Sequence, residues 1–169
     1  MEEKKSLILY FSRADENYIV GYIDKGNTEI VAEYIKEFTN ADMFKVERKI
    51  PYARDYNTCL QETKEEKEQG LRPELARELK SVREYDTVYI GTPIYWGSMP
   101  QPMYTQLEKL NFTDINVKVF TTHEGNELGD VLEEVKQICL GANVSDDAIA
   151  IQGSEAKNSK AKIEEWLKK

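Results

Sequence analysis

Short apolar runs of strand length recur along the chain, and they limit its fold more than any other feature. The four clearest runs are SLILYF (6–11), TVYIG (87–91), VKVFTT (117–122) and AIAIQG (148–153), and a weaker, alternating run is ADMFKVE (41–47). Near-continuous apolar runs of this length are typical of strands buried on both faces, as in a parallel sheet that helices cover. The alternating run is typical of an edge strand.

Stretches with helical periodicity lie between these runs. Helices are predicted from this periodicity at 27–38, 72–82, 100–110, 127–140 and 155–169. In the second of them, Pro73 lies near the start, where proline is favoured. The polar segment 57–70 is interpreted as an additional, solvated surface helix, because its charges leave no apolar stripe to bury. Strands that alternate with helices in this way predict a doubly wound α/β fold.

Length and composition fit one globular domain that spans residues 1–169. Hydrophobic residues make up 40% of the sequence and charged residues 32%, which argues against disorder. The formal net charge of −8 argues against nucleic acid and anionic membrane surfaces as partners. An acidic surface of this kind either suits docking to basic proteins or serves only solubility.

The sequence also bears on the cellular compartment. No apolar run approaches the length of about 20 residues that crosses a bilayer, and the first residues, MEEKKSLILYFS, lack the features of a signal peptide. Cys59 and Cys139 are far apart and form no metal-binding or redox spacing. We therefore expect a cytoplasmic protein with reduced thiols.

The loop after the first strand has the features of a phosphate site. Doubly wound sheets bind ligands beyond the carboxyl ends of their strands, where the strand order reverses. Here Gly26, Asn27 and Thr28 open a predicted helix, whose free N–H groups and dipole suit an anion. Ser12 adds a hydroxyl group and Arg13 a cation. An ordinary capped helix is the alternative. The fingerprints GxxxxGK[ST] and GxGxxG are both absent.

The loop after the third strand places two large aromatic residues next to each other. Thr92 and Pro93 end the strand, since proline cannot donate to a sheet. The residues that follow, Ile94, Tyr95, Trp96 and Gly97, are held before two further prolines and are expected to have little freedom to turn inward. Each aromatic ring has roughly 150–250 Å² to bury. Either a flat ligand covers the rings, or they pack on the neighbouring loop or a partner subunit.

The loop after the fourth strand contains His123, the only histidine of the sequence. No other metal-ligating residue is spaced to join it, and no GxSxG motif indicates a catalytic triad. Either His123 lines the site as a loop residue or it is simply solvated. Gly125 and Gly129 allow turns that can direct backbone amides towards a polar ring edge.

Taken together, these features resemble the flavodoxin family. The matching stretches are LYFSRADENY, GNTEIVAEYI, GTPIYWGSMPQPM and TTHEGNELG, and the likeness spans essentially the whole chain. The resemblance implies a three-layer αβα fold with a five-stranded parallel sheet of order 2-1-3-4-5. It also implies FMN as the cofactor, bound at the switch point between the first and third strands.

The resemblance assigns roles to individual residues. It places the FMN phosphate at Ser12, Gly26, Asn27 and Thr28, the ribityl chain at Thr92, the isoalloxazine ring at Pro93, Ile94, Tyr95, Trp96 and Gly97, and the pyrimidine edge of the ring at Thr122, His123, Glu124 and Gly125. The phosphate loop is longer than is usual in the family. Its insertion, residues 13–25, is predicted to cover one side of the flavin, with Arg13 among the cofactor-binding residues. No residue receives a catalytic or metal-binding role.

The family resemblance implies an electron-transfer protein. FMN would perform the electron chemistry, and aromatic stacking and an acidic surface would both lower the potential at which the anionic reduced flavin forms. We expect a low-potential carrier that exchanges electrons with proteins bearing basic docking surfaces. The alternatives are an NAD(P)H-dependent FMN oxidoreductase that reduces quinones or other small acceptors, and an interaction module without cofactor. The long first loop could form the substrate pocket of an oxidoreductase.

Overall fold

A six-stranded parallel sheet forms the centre of the protein in the computed structural model, which describes residues 5–169. An antiparallel hairpin follows its first strand. The strands, in chain order, are β1 (Ser6–Tyr10), β2 (Asp15–Asn17), β3 (Gly21–Ile23), β4 (Asp42–Lys45), β5 (Thr87–Pro93), β6 (Asn116–His123), β7 (Asn143–Val144) and β8 (Ile149–Gln152), of which β2 and β3 form the hairpin.

Helices cover both faces of the sheet. They are α1 (Asn27–Thr39), α2 (Tyr56–Gln69), α3 (Gln101–Leu107), α4 (Val131–Ile138) and α5 (Lys160–Leu167), and a 3-10 helix (Gly153–Asn158) precedes the last of them. Among the helices within residues 5–169, none combines the length and the apolar composition of a membrane-spanning segment.

The order of the strands confirms the doubly wound fold. The sheet runs β4-β1-β5-β6, and both β7 and β8 pair with β6. In the numbering used for the predicted strands, this is the order 2-1-3-4-5. The fifth position consists of two pieces, because β7 pairs with the start of β6 at Asn116 and β8 pairs with its end, from Phe120 to His123. With two residues, β7 is too short to stand out as an apolar run.

The alternation of side chains along β1 explains its continuous apolar sequence. Leu7 and Leu9 belong to the core under α3 and α4, whereas Ile8 and Tyr10 belong to a second core under α1 and α5. All four side chains are buried, as expected for a strand with helices on both sides. The two cores hold the carboxyl ends of β1, β5 and β6 at one edge of the molecule.

The helix predicted at 72–82 is wrong, since this segment is extended in the structure. It lies across the loop after β4, where Leu75 forms a bridge with Arg48. Further along, the side chain of Gln106 accepts a hydrogen bond from the backbone N–H of Leu79 (2.8 Å) and donates one to its carbonyl (3.0 Å). These tertiary contacts satisfy the backbone groups that a helix would otherwise pair, and they override the local periodicity.

The interpretation of 57–70 as a solvated surface helix is also wrong in part. A helix does form, as α2, but it is the main helix between β4 and β5 and has a buried inner face. That face carries Cys59, Thr63 and Glu66, each at most 7% exposed. Burial raises the pKa of Glu66, and the carboxylate accepts a hydrogen bond from Tyr52 and pairs with Arg48 at 3.0 Å. The inner face is polar, and therefore shows no apolar stripe.

The inserted segment after β1 forms the β2–β3 hairpin. The Arg13 guanidinium donates hydrogen bonds to the carbonyls of Glu16, Ala53 (2.7 Å) and Arg54 (2.8 Å). The backbone N–H of Tyr56 donates to the Glu16 carboxylate at 2.6 Å. These contacts join the hairpin to the start of α2, so both elements border one edge of the sheet.

Candidate functional site

A cavity of about 300 Å³ lies beyond the carboxyl ends of β1, β5 and β6. Its size is at the lower end of the range for small-molecule sites, which is about 300–1,000 Å³. The cavity lies between the hairpin, the start of α1, one side of α2 and the loops after β5 and β6. The switch point of the sheet, where order reverses between β1 and β5, is therefore an open site.

The start of α1 provides one end of the cavity. Asn27 and Thr28 border it, and their N–H groups have no partner inside the helix, as at every helix start. Ser12 lies behind them, and its hydroxyl oxygen accepts a hydrogen bond from the N–H of Glu29 at 3.0 Å. A Cβ atom at Gly26 would lie 2.1 Å from that oxygen. Only glycine therefore lets the chain pass close enough for Ser12 to cap the helix.

Arg13 borders the cavity, but its donors are largely engaged. Both terminal nitrogens of its guanidinium donate to backbone carbonyls of the hairpin and of residues 53–54. Its observed contacts therefore fix the wall of the cavity, and contact with a phosphate stays a prediction. Asn17 and Tyr18 from the same hairpin also border the cavity. Both lie in the insertion 13–25, which is predicted to cover one side of the flavin, but neither was predicted individually to contact the cofactor.

The loop after β5 closes into a tight turn. Tyr95 and Ser98 exchange two backbone hydrogen bonds, of 2.7 and 3.1 Å. Trp96 and Gly97 between them both have positive φ, of 56° and 80°, as in a type I′ turn. Glycine is common at such a position, whereas tryptophan is rare there. Strained residues of this kind cluster at ligand sites.

The two aromatic residues of this turn have different surroundings. Tyr95 packs edge-on against Phe11 and Tyr52, with ring centroids 5.8 and 6.4 Å apart. Its hydroxyl is buried without a partner within residues 5–169, and burial raises its pKa. Trp96 points outward and is 42% exposed. Both residues border the cavity, and only Tyr95 also packs inward, contrary to the expectation that neither ring has the freedom to do so.

Residues of α2 hold Trp96 in place. Its indole Nε1 donates to the hydroxyl oxygen of Thr63 at 3.1 Å. One turn later, Lys67 donates to the carbonyl oxygen of Trp96 and, at 3.3 Å, to the hydroxyl oxygen of Ser98. The ammonium group of Lys64 lies 6.0 Å from the centroid of the indole ring. One helix therefore fixes both the side chain and the backbone of this residue.

The rest of the loop after β5 lies at or behind the cavity wall. Pro93 and Ile94 border the cavity. Thr92 is fully buried, and its hydroxyl donates to the carbonyl of Pro93 at 2.8 Å. Gly97 does not border the cavity, because its carbonyl faces α4 and accepts a hydrogen bond from the N–H of Asp130 at 2.8 Å. Thr92 and Gly97 therefore shape the turn from behind.

The loop after β6 supplies the side of the cavity opposite α2. The hydroxyl groups of Thr122 and Thr28 share a hydrogen bond, with 2.7 Å between their oxygens, and this bond links β6 to α1. His123 accepts a hydrogen bond at Nδ1 from the N–H of Gly125 at 2.9 Å. Burial lowers the pKa of His123, although Glu127 and Glu124 oppose the shift. An Nδ1 atom that accepts this hydrogen bond belongs to a neutral imidazole, which the lowered pKa favours.

Glu124 borders the cavity, whereas Gly125 does not. The Glu124 carboxylate oxygens are both buried and have no hydrogen-bond partner within the described part of the chain. Asn126 also borders the cavity and was missed, because nothing distinguishes this asparagine from an ordinary loop residue.

The α2 wall of the cavity was missed as a whole. Tyr56, Cys59, Leu60 and Thr63 border the cavity, and Tyr18 stacks on Tyr56 with centroids 5.8 Å apart. Their spacing of three or four residues is that of one helix face, and this face contains the uncharged residues of a highly charged segment. Burial raises the pKa of Cys59 to about 11, so its side chain is an unreactive thiol.

The two ends of the cavity differ in the groups that they offer to a ligand. Within residues 5–169, no cluster of three or more His, Cys, Asp or Glu side chains could hold a metal ion. One end of the cavity offers free amides and hydroxyl groups, and the other offers a half-exposed indole ring. An anion at the first end and a flat aromatic group at the second end suit this arrangement.

Comparison with solved structures shows the same fold in flavoproteins. A candidate flavoprotein from Bacteroides uniformis ATCC 8492 has a TM-score of 0.78 at 24% identity, over 99% of this chain and 100% of the other. A second, from Bacteroides eggerthii DSM 20697, has a TM-score of 0.76 at 22% identity, over 98% and 97%. A flavoprotein in complex with FMN from Lactobacillus acidophilus NCFM has a TM-score of 0.67 at 22% identity, over 92% and 98%.

Comparison with sequences identifies the family. No curated protein sequence matches the chain. A family model described as flavodoxin matches residues 17–169, which include α1, α2 and the loops after β5 and β6 that border the cavity. With this match and the strand order, the chain belongs to the flavodoxin family.

Proposed function

We propose that the protein binds FMN in this cavity and acts as a low-potential electron carrier. The observation that carries the proposal is the pairing, in one cavity, of an open helix start with an outward-facing indole ring. FMN has a phosphate group at one end and a planar ring at the other, which matches both features. The family and the FMN complex from Lactobacillus acidophilus support this cofactor.

The phosphate end of the cavity fits an anion. The amides of Asn27 and Thr28 and the hydroxyl groups of Ser12 and Thr28 can donate to phosphate oxygens, and the α1 dipole favours negative charge there. The close contact between Gly26 and Ser12 keeps these donors together. With Arg13 bound to carbonyls, we infer that this chain binds the phosphate mainly through neutral donors.

The ring end of the cavity fits a planar heterocycle. Trp96 is 42% exposed as a residue, and a ring stacked on its indole would cover part of that exposed surface. Thr63 and Lys67 fix the indole before any ligand arrives, so stacking requires little further ordering. When bound, FMN supplies the electron transfer, and the protein supplies its position and the surrounding charges.

The carrier function is favoured by what surrounds the ring site. The exposed indole edge brings the ring site to the protein surface. A net charge of −8 suits transient docking to basic partner proteins.

A second candidate function is NAD(P)H-dependent reduction of quinones or other small acceptors. The β2–β3 hairpin favours it, because Tyr18 and Tyr56 form a stacked aromatic wall beside the cavity. A nicotinamide or quinone ring could lie against such a wall.

Two measurements test the proposal. First, the visible spectrum of the purified or FMN-reconstituted protein should show a bound flavin; a protein that takes up no FMN at high micromolar concentration contradicts the whole proposal. Second, the FMN-loaded protein is mixed anaerobically with NADPH or NADH. We expect the yellow colour to persist, because a carrier lacks a hydride-transfer site. Rapid bleaching would select the oxidoreductase instead.

A further inference from the structure

Within residues 5–169, the Glu124 carboxylate has no hydrogen-bond partner although both of its oxygens are buried. An ionised carboxylate can accept about four hydrogen bonds, and buried polar groups are rarely left without any. Because Glu124 borders the cavity, the missing donors can come from a molecule bound there.

The Glu124 carboxylate lies between the two ends of the cavity. The backbone of Glu124 follows β6, where Thr122 pairs with Pro93 at the ring end. Its side chain reaches back towards α1 and lies near Asn27, the first residue of that helix. Both Glu124 Oε1 and Asn27 Nδ2 lie against Gly153, at 2.2 and 2.5 Å from the position that a Cβ atom would occupy there. A side chain at Gly153 would displace both groups. The carboxylate is therefore close to the phosphate end but attached to the ring end.

We propose that the Glu124 carboxylate accepts hydrogen bonds from hydroxyl groups of the ribityl chain, so that the site selects flavins with a polyol side chain. This inference rests on the proposed FMN function. It differs from the family resemblance, which assigns Glu124 to the pyrimidine edge and the ribityl chain to Thr92. The fully buried Thr92 hydroxyl already donates to a backbone carbonyl.

The other parts of FMN fit the carboxylate less well. A phosphate group and a carboxylate are both anionic acceptors, so direct contact would repel the phosphate. The pyrimidine edge of the ring offers only one N–H donor, at N3, whereas both oxygens of the Glu124 carboxylate need a donor. The ribityl chain carries three hydroxyl groups between the ring and the phosphate, and charge-assisted O–H···O⁻ bonds are short and strong. Asn27 lies near enough to share this chain of hydroxyl groups.

A ligand series separates these contacts. Dissociation constants are measured by flavin fluorescence for FMN, for riboflavin, which lacks the phosphate, and for lumiflavin, which lacks the ribityl chain. We expect Glu124→Ala to weaken FMN and riboflavin by a similar factor, on the order of 10-fold. Lumiflavin should change less than about twofold. Glu127→Ala, which removes the same charge from the same loop outside the cavity wall, should leave all three ligands nearly unchanged.

Other outcomes overturn the inference. An equal loss for all three ligands would place Glu124 at the ring edge, and tighter FMN with unchanged riboflavin would place it at the phosphate. If Glu124→Ala does not fold, as judged by thermal unfolding, the isosteric Glu124→Gln must show the same dependence on the ribityl chain with a smaller loss. A wild-type protein that binds no flavin contradicts the proposed function itself, whereas the patterns above contradict only the role of Glu124.

Discussion

At the scale of single residues, Trp96 has an unusual conformation and two contacts that maintain it. A left-handed backbone is unfavourable for a bulky side chain by roughly 1 kcal/mol or more, and its φ is 56°. Thr63 and Lys67, one turn apart on α2, bind the indole N–H and the carbonyl oxygen of this residue. The neighbouring Tyr95 packs against the core with one side of its ring and borders the cavity as well. The conformation therefore turns the Trp96 ring outward, whereas the Tyr95 ring also contributes to the packing of the core.

This division predicts different effects for the two aromatic residues. Trp96→Ala should weaken FMN by about 1–3 kcal/mol, because stacking on the indole is lost. The comparison variant, Tyr95→Phe, keeps an aromatic ring at the cavity wall and removes only a buried hydroxyl that has no partner within residues 5–169. It should leave the affinity within about twofold and should not lower the melting temperature. Titration of the apoproteins with FMN measures both. Unchanged affinity in Trp96→Ala would place the ring elsewhere.

At the scale of elements, the sheet and most helices follow from periodicity. The runs at 6–11, 87–91 and 117–122 became central strands because their residues pack on both faces of the sheet. The periodicity at 72–82 was misleading. The side chains of Leu75 and Val82 are buried as the pattern suggested, but the segment that carries them is not helical. Side-chain spacing reports which residues are buried, but Gln106, more than 20 residues away, satisfies the backbone there.

Only the part of the candidate site that lies in the loops directly after the predicted strands could be predicted from the sequence. The residues after β1, β5 and β6 meet at the sheet edge because of the strand order. The alternation of strands and helices predicted a doubly wound sheet, and the family resemblance implied this order. The hairpin and α2 reach the same cavity through contacts that span 40 residues, such as that between Arg13 and Ala53. A single sequence carries no signal for such a pairing. Tyr56 was missed for this reason, and Tyr18 was predicted only as part of the insertion 13–25.

We therefore expect Arg13 to stabilise the hairpin more than it contributes to the affinity for the phosphate. Arg13→Ala removes hydrogen bonds to three carbonyls and should lower the free energy of unfolding by about 2 kcal/mol. Amide exchange in residues 15–23 should become faster. The control is Arg54→Ala, because Arg54 forms only an exposed ion pair with Asp15, at 3.4 Å. This variant should lower the free energy of unfolding by less than about 1 kcal/mol.

The same variant tests the predicted phosphate contact. A hairpin role predicts that Arg13→Ala weakens FMN and riboflavin to a similar extent, because both ligands lose the same wall. If Arg13 held the phosphate, FMN alone would lose affinity. Isothermal titration of both ligands into the variant and the wild type distinguishes these outcomes.

At the scale of the whole molecule, charge governs how readily a bound flavin is reduced. The chain carries 31 acidic and 23 basic side chains, and the Glu124 carboxylate borders the cavity. The fully reduced flavin is an anion, so negative charge nearby makes its formation less favourable. Three basic side chains lie near the cavity. Arg13 borders it and donates to backbone carbonyls, Lys67 donates to a carbonyl and a hydroxyl oxygen, and Lys64 lies 6.0 Å from the centroid of the Trp96 indole ring.

We expect the potential of the second one-electron reduction of bound FMN to lie below that of free FMN. A tenfold change in an equilibrium constant corresponds to about 59 mV for one electron. The potential should rise with ionic strength, because salt screens exposed charges beyond a distance of about 10 Å at 0.1 M. Glu127→Gln, in the loop beside the cavity, should raise it by on the order of 10 mV. Glu165→Gln, on α5 and away from the cavity wall, should change it less. A spectroelectrochemical titration of the three proteins measures these values, and a wild-type potential at or above that of free FMN would contradict the low-potential carrier.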